Sequence, residues 1–237
     1  MLKRVLKYLL ITLAVLALAA IWPAYTVYRE LQKSASDDPG VWEQDIANLE
    51  QRAVAKPGAV LFVGSSSIRL WTSLQQDMAP FEAVQRGFGG AKINDVTFYA
   101  ERLFAAEEPA AIVIFVGTND VHPGAAKQPT ELLMAYRHMI AAIRKIHARV
   151  PVYYIAITPS IMRWEIWPLA NAANALISAE AGADESLHVI DTAPALLLDG
   201  EPNPDYYVLD GLHLSGAGYD VWRNIIRDRL LSDLGAP

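Results

Sequence analysis

The apolar positions of this chain change period several times along its length. Ala59–Val63 and Ala110–Val116 are short unbroken apolar runs, which suit strands covered on both faces of a parallel sheet. Glu82–Arg86, Val150–Ile157 and Leu187–Ile190 read as further strands. Between them the spacing turns helical. Leu132, Leu133, Tyr136, Ile140, Ile143 and Ile146 recur every third or fourth position and predict a helix over Pro129–Arg149. Helices are also predicted after the first strand through Ile68, Leu70 and Trp71, and over Asn94–Ala106, Pro168–Ala181 and Ala217–Leu231. Val41–Val54 reads as an amphipathic lead-in helix that Lys56-Pro57-Gly58 stops. Strands alternating with helices imply βαβ units, so the class is α/β with a mainly parallel sheet and helices on both faces.

One stretch stands outside this pattern. Lys3, Arg4 and Lys7 precede an uncharged run from Tyr8 to Tyr28, with Trp22, Tyr25 and Tyr28 near its end. About 20 apolar residues cross a bilayer core of ~30 Å, and interfacial aromatics flank such spans. The run therefore predicts an N-terminal transmembrane helix. The cationic start keeps its head in the cytoplasm, so the rest of the chain is expected to be exported, periplasmic or extracellular. The alternative is a signal segment cleaved after Ala17-Leu18-Ala19, which would release a secreted protein. The chain then divides into 1–28 as anchor or signal, 29–58 as tether and lead-in helix, and 59–237 as the main α/β domain.

Charge and cysteine content narrow the chemistry. There is no cysteine, which removes disulfides, thiolate nucleophiles and Cys-based zinc sites. The net charge is −6, and the first 28 residues contribute +3, which leaves −9 on the remainder. That acidic body argues against nucleic acid as a partner. No His, Asp or Glu spacing suggests a metal, and no cofactor is implied.

Three loops at predicted strand ends carry candidate chemistry. Gly64-Ser65-Ser66-Ser67 follows the first strand, Val116-Gly117-Thr118-Asn119-Asp120 the third, and Asp210-Gly211-Leu212-His213 precedes the last helix. In parallel α/β sheets ligands bind beyond the carboxyl ends of the strands, so Ser66, Gly90 and Asn119 should share one edge. A serine hydroxyl needs an adjacent base to act as nucleophile. An imidazole titrates near neutrality and can be that base, and an aspartate can orient it. Taken singly, Ser66 is a helix cap, Asn119 a turn residue, and Asp210 with His213 a polar loop; Ser65 and Ser67 are rival nucleophiles. His122 and the Arg163-Trp164-Glu165-Ile166-Trp167-Pro168 stretch are candidates for a substrate pocket, with His122 alternatively an ordinary loop residue and Trp164 and Trp167 packing the next helix. Trp71 is expected in the core. His138, His147 and His188 are expected at ordinary helix or strand positions.

Gly64-Ser65-Ser66, Gly90, Gly117-Thr118-Asn119-Asp120 and Asp210-x-x-His213 resemble, in order and spacing, the sequence blocks of the SGNH hydrolases, also called GDSL lipases and esterases. The resemblance covers about Val60 to Leu231. It implies a flavodoxin-like three-layer α/β/α fold with a mainly parallel five-stranded sheet, and ester hydrolysis through an acyl-serine intermediate. Matched residue by residue, it makes Ser66 the nucleophile, Asp210 the acid and His213 the base, with Ser66 N–H, Gly90 N–H and the Asn119 amide donating to the oxyanion. Ser65 stands where the name-giving motif has Asp. The substrate expected is a small acyl ester or lipid; an acetylated carbohydrate and a catalytically silent binding module are the alternatives.

Overall fold

The computed structural model describes residues 28–52, 57–105, 108–124 and 126–237, together with residues 4, 7, 8, 12 and 25. Most of the Tyr8–Tyr28 run expected to span a membrane lies outside these residues. Among the described residues no helix is long and apolar enough to cross a membrane.

Five strands, β1 (Val60–Gly64), β2 (Ala83–Gly87), β3 (Ala111–Phe115), β4 (Val152–Ile155) and β5 (Leu187–Ile190), form one sheet in the order β2-β1-β3-β4-β5. Every pairing in it is parallel. This is the doubly wound order in which the chain reverses direction across the sheet between β1 and β3. The alternation of side chains explains the unbroken apolar runs. Leu61, Val63, Ile112 and Ile114 enter one buried cluster, while Val60, Phe62, Val113 and Phe115 enter another on the opposite face. Neither β1 nor β3 thus has a solvated side, and period-2 alternation in polarity is lost in them.

Helices α1 (Glu43–Glu50), α3 (Ile93–Phe98), α4 (Pro129–Ile146) and α5 (Trp167–Ala181) cover the first face; α2 (Ser66–Arg69) and α6 (Gly216–Leu234) cover the second. On α6, Tyr219, Trp222, Ile226 and Leu230 point inward at helical spacing. Trp222 meets Trp71 and Phe115 edge to face, with ring centroids 5.7 and 4.7 Å apart, and Trp71 is buried, as expected. Three expectations need adjusting. The helix over Asn94–Ala106 breaks at Tyr99 into α3 and a turn at Ala100–Leu103. The lead-in helix is shorter than Val41–Val54, starting as a 3-10 turn at Pro39–Trp42, where Pro39 opens the turn and the Asp38 side chain caps it. The helix after β1 is a single turn, so Leu70 and Trp71 follow it. A small hairpin pairing Leu197–Leu198 with Glu201–Pro202 was not anticipated.

Candidate active site

The strand ends bring the distant loops to one edge. Gly64 closes β1 with φ +155°, and a Cβ there would stand 2.0 Å from the Phe115 carbonyl oxygen. The close approach of β1 to β3 therefore requires glycine. Ser65 N–H donates to that same carbonyl at 2.9 Å, which fixes the start of α2. Ser66 becomes the first residue of the helix, where its N–H has no intrahelical acceptor.

The second loop is built to hold an imidazole. Gly211 takes φ +65°, allowing a tight turn between Asp210 and His213. Val208 N–H donates to the His213 carbonyl at 2.9 Å, and Tyr207 pairs with Leu214 across an isolated bridge. Ser215 caps α6, its hydroxyl accepting from Gly218 N–H at 3.3 Å. The Asp210 carboxylate uses both oxygens. Oδ1 accepts from Leu212 and His213 N–H at 2.8 and 2.9 Å, and Oδ2 lies 2.7 Å from His213 Nδ1. Burial would raise the Asp210 carboxyl, but these hydrogen bonds from His213 and Leu212 outweigh it and hold the carboxyl below its usual value. An ionised carboxylate only accepts, so Nδ1 carries the proton and Nε2 has a free lone pair. That lone pair faces Ser66: Nε2 to Oγ is 2.9 Å. Ser66, rather than Ser65 or Ser67, is the serine the imidazole reaches.

Asn119 lies at the end of β3 beside this pair. Its Nδ2 donates to the Ala91 carbonyl at 3.1 Å, and its Oδ1 accepts from Arg163 Nη2 at 3.2 Å. A guanidinium only donates and a carbonyl only accepts, so the amide orientation is fixed, with one N–H left over on Nδ2. Arg163 also donates to the Thr118 carbonyl. Gly90 follows β2 on the same edge. Asp120 ties the two loops together: its buried carboxylate accepts from Ile93 N–H at 2.9 Å and pairs with Lys127. Arg163 and Asp120 had no role assigned from sequence. Their signal is faint, because each acts by reaching a loop far away in the chain.

A narrow cavity opens beside Ser66, with Asn119 and His213 at its mouth, Phe115 and Leu212 as apolar walls, and Thr118, Thr158 and Ser160 as polar ones. Its room for a water-sized group is about 10 Å³, the space of roughly one water. Among the described residues the Thr118 and Ser160 hydroxyls have no hydrogen-bond partner. Neither His122 nor the tryptophans line this cavity. His122 Nδ1 lies 3.1 Å from the Pro123 carbonyl oxygen. Trp164 and Trp167 are half-buried and stack on each other, with centroids 6.4 Å apart and planes 13° apart, and Trp167 packs against the core. Among the described residues no three His, Cys, Asp or Glu side chains gather closely enough to hold a metal.

Residues 43–221 match the GDSL-like Lipase/Acylhydrolase family. The chain belongs to that family. Its fold is shared with solved structures at low identity. A Streptococcus pneumonia protein named for platelet activating factor superposes with TM-score 0.70 at 20% identity, covering 90% of this chain and 99% of that one. A GDSL-like lipase from Bacteroides thetaiotaomicron gives 0.65 at 22%, covering 83% and 98%. A family 3 carbohydrate esterase from Clostridium thermocellum gives 0.56 at 18%, covering 76% and 98%. No curated protein sequence matches the chain. Family membership makes it a hydrolase of the lipase and esterase kind.

Proposed function

We propose that the protein is a serine esterase that removes acetyl-sized acyl groups, with Ser66 as nucleophile, His213 as base and Asp210 as orienting acid. The reading rests above all on the 2.9 Å approach of His213 Nε2 to Ser66 Oγ. His213 takes the Ser66 proton as Oγ attacks the ester carbonyl. The oxyanion forms against Ser66 N–H, Gly90 N–H and the free Asn119 amide N–H. The C–O bond to the alcohol then breaks, and the alcohol leaves with the proton held by His213. Water, deprotonated by the same imidazole, attacks the acyl-serine and frees the acid.

The small cavity beside Ser66 supports a short acyl group, since a chain beyond two carbons would have to open it. The N-terminal run supports an exported domain held at a membrane by residues 1–28. The test compares p-nitrophenyl acetate, butyrate and octanoate, together with labelling by a fluorophosphonate. Expected are labelling lost in Ser66→Ala and a steep fall in kcat/KM from acetate to octanoate. A wild type that resists the probe and all three esters would make the fold a binding module instead.

A further inference from the structure

The catalytic edge carries apolar side chains that no described residue covers. Leu209, next to Asp210, is fully exposed, and Ile161 and Met162 are about half exposed. The two loops touch: Met162 N–H donates to the Gly211 carbonyl at 2.9 Å, and Gly211 sits against the Ile161 side chain. Single exposed apolar residues are ordinary; several flanking one site are the mark of an interaction surface.

A second observation lies on the same edge. Residues 28–35 are helical and pack on the glycine turn after β2. A Cβ on Gly90 would stand 1.8 Å from Ser34 Oγ, and one on Gly89 2.5 Å from Glu30 Oε2. Lys33 bonds Asp45 at 2.5 Å and lies over the Trp42 ring. The helix therefore turns its polar face, Glu30, Lys33 and Ser34, toward the protein. Its large apolar residues, Tyr28 and Leu31, are each more than half exposed, beside the exposed Arg29 and Gln32. A surface helix of a globular protein ordinarily buries such residues. In sequence, the uncharged run ends at Tyr28, the first residue of this helix.

We propose that the edge bearing Ser66 lies against the bilayer surface, with Leu209, Ile161, Met162, Tyr28 and Leu31 seated among the lipid headgroups. The occupant follows from connectivity: the helix at residues 28–35 packs on this edge, and in sequence the uncharged run directly precedes it. Tyrosine settles at such an interface, and leucine lines the apolar face of helices that lie in it. The proposal rests on the membrane-anchor reading of residues 1–28. It makes the substrate an acyl ester presented at the membrane, entering from the lipid side.

The chain has no cysteine, so one engineered thiol gives one label. Full-length Leu209→Cys, Met162→Cys and Glu185→Cys would carry a bimane label in zwitterionic phosphatidylcholine vesicles. Glu185 precedes β5 and marks the far edge. Expected is loss of more than about half of the Leu209 and Met162 label emission to headgroup-level spin-labelled lipid, as for groups ~5–10 Å into the boundary, with the Glu185 label unaffected. Labels equally wet at both edges of a vesicle-bound chain overturn the proposal and leave the anchor standing. A chain that does not associate with the vesicles overturns both. Neither result depends on catalysis, so the esterase reading stands or falls separately.

Discussion

Arg163 holds Asn119 by its amide oxygen, Nη2 to Oδ1 at 3.2 Å, and so aims the amide nitrogen away from itself toward Ala91 and the mouth of the cavity. Among the described residues no carboxylate pairs with this cation, and burial pushes its guanidinium down to about 10, still charged at neutral pH. A buried cation without an acid partner is costly; here its positive field falls where the oxyanion would form. Replacing Arg163 by Met is expected to lower kcat for p-nitrophenyl acetate about ten- to a hundredfold, somewhat less than losing a direct oxyanion donor, with KM little changed. Arg163→Lys should recover only part, because an ammonium lacks the planar fork that serves both Thr118 and Asn119. An unchanged kcat in Arg163→Met would make the residue structural only.

Asp210→Asn tests the orientation of the base. The Asn oxygen can still accept from the Leu212 and His213 backbone, so the loop should persist. Its NH₂ would then face Nδ1, which must become the acceptor, and the imidazole proton moves to Nε2, where it blocks acceptance from Ser66. The expected loss in kcat is ~10⁴, the size seen in serine-protease triads, with the melting temperature close to that of the parent. A loss below tenfold would show that the imidazole needs no orienting acid.

The Asp210 shift has a pH signature. A carboxyl held below its ordinary value in the fold stabilises the fold above its unfolded value of about 4, and loses that contribution as pH falls through the lower folded value. The side chain is 41% exposed, so screening keeps the contribution small. The Asp210 contribution to the difference between the melting curves of the parent and Asp210→Asn should therefore be lost only below about pH 4. In the rate profile on p-nitrophenyl acetate, Asp210 should add no acidic limb of its own above about pH 4. Convergence of the melting curves beginning between about pH 5 and 6 would contradict the shift.

Much of this molecule was legible before folding. β1 and β3 announced themselves because strands buried on both faces leave an unbroken apolar signature, and the predicted limits of all five strands fall within two residues of the observed ones. Ser66, Asn119, Asp210 and His213 were legible because each sits at a strand end or a glycine turn. What the pattern hid were features decided by distant contacts. Tyr99 interrupts its helix while its hydroxyl donates to the Pro39 carbonyl at 3.0 Å, sixty residues away, and no local propensity records that. In sequence Trp164 and Trp167 suit a pocket wall and the packing of the next helix equally well; in the fold they stack on each other, Trp167 packs on the core, and the cavity is left to smaller side chains. Arg163, in the same stretch, was overshadowed by them, although its partners Thr118 and Asn119 lie on another loop.

Asp120 supplies a last prediction, one that separates stability from catalysis. It stands beside the Asn119 loop, its side chain fully buried, and accepts from the first N–H of α3, just beyond Gly90 and Ala91. The carboxylate thereby sets the distance between the two loops that would supply oxyanion donors. Asp120→Asn keeps an oxygen for Ile93 N–H but gives up the charge on which Lys127 rests, with an expected cost of about 1.5–3 kcal/mol in a denaturant titration. Its kcat should drop less than tenfold, because loop spacing survives. Asp120→Ala removes both bonds, leaves the Ile93 N–H unsatisfied, and should cut kcat further at unchanged Ser66 labelling chemistry. Equal kcat in the two variants would mean that Asp120 holds the fold and has no bearing on the spacing of Gly90 and Asn119.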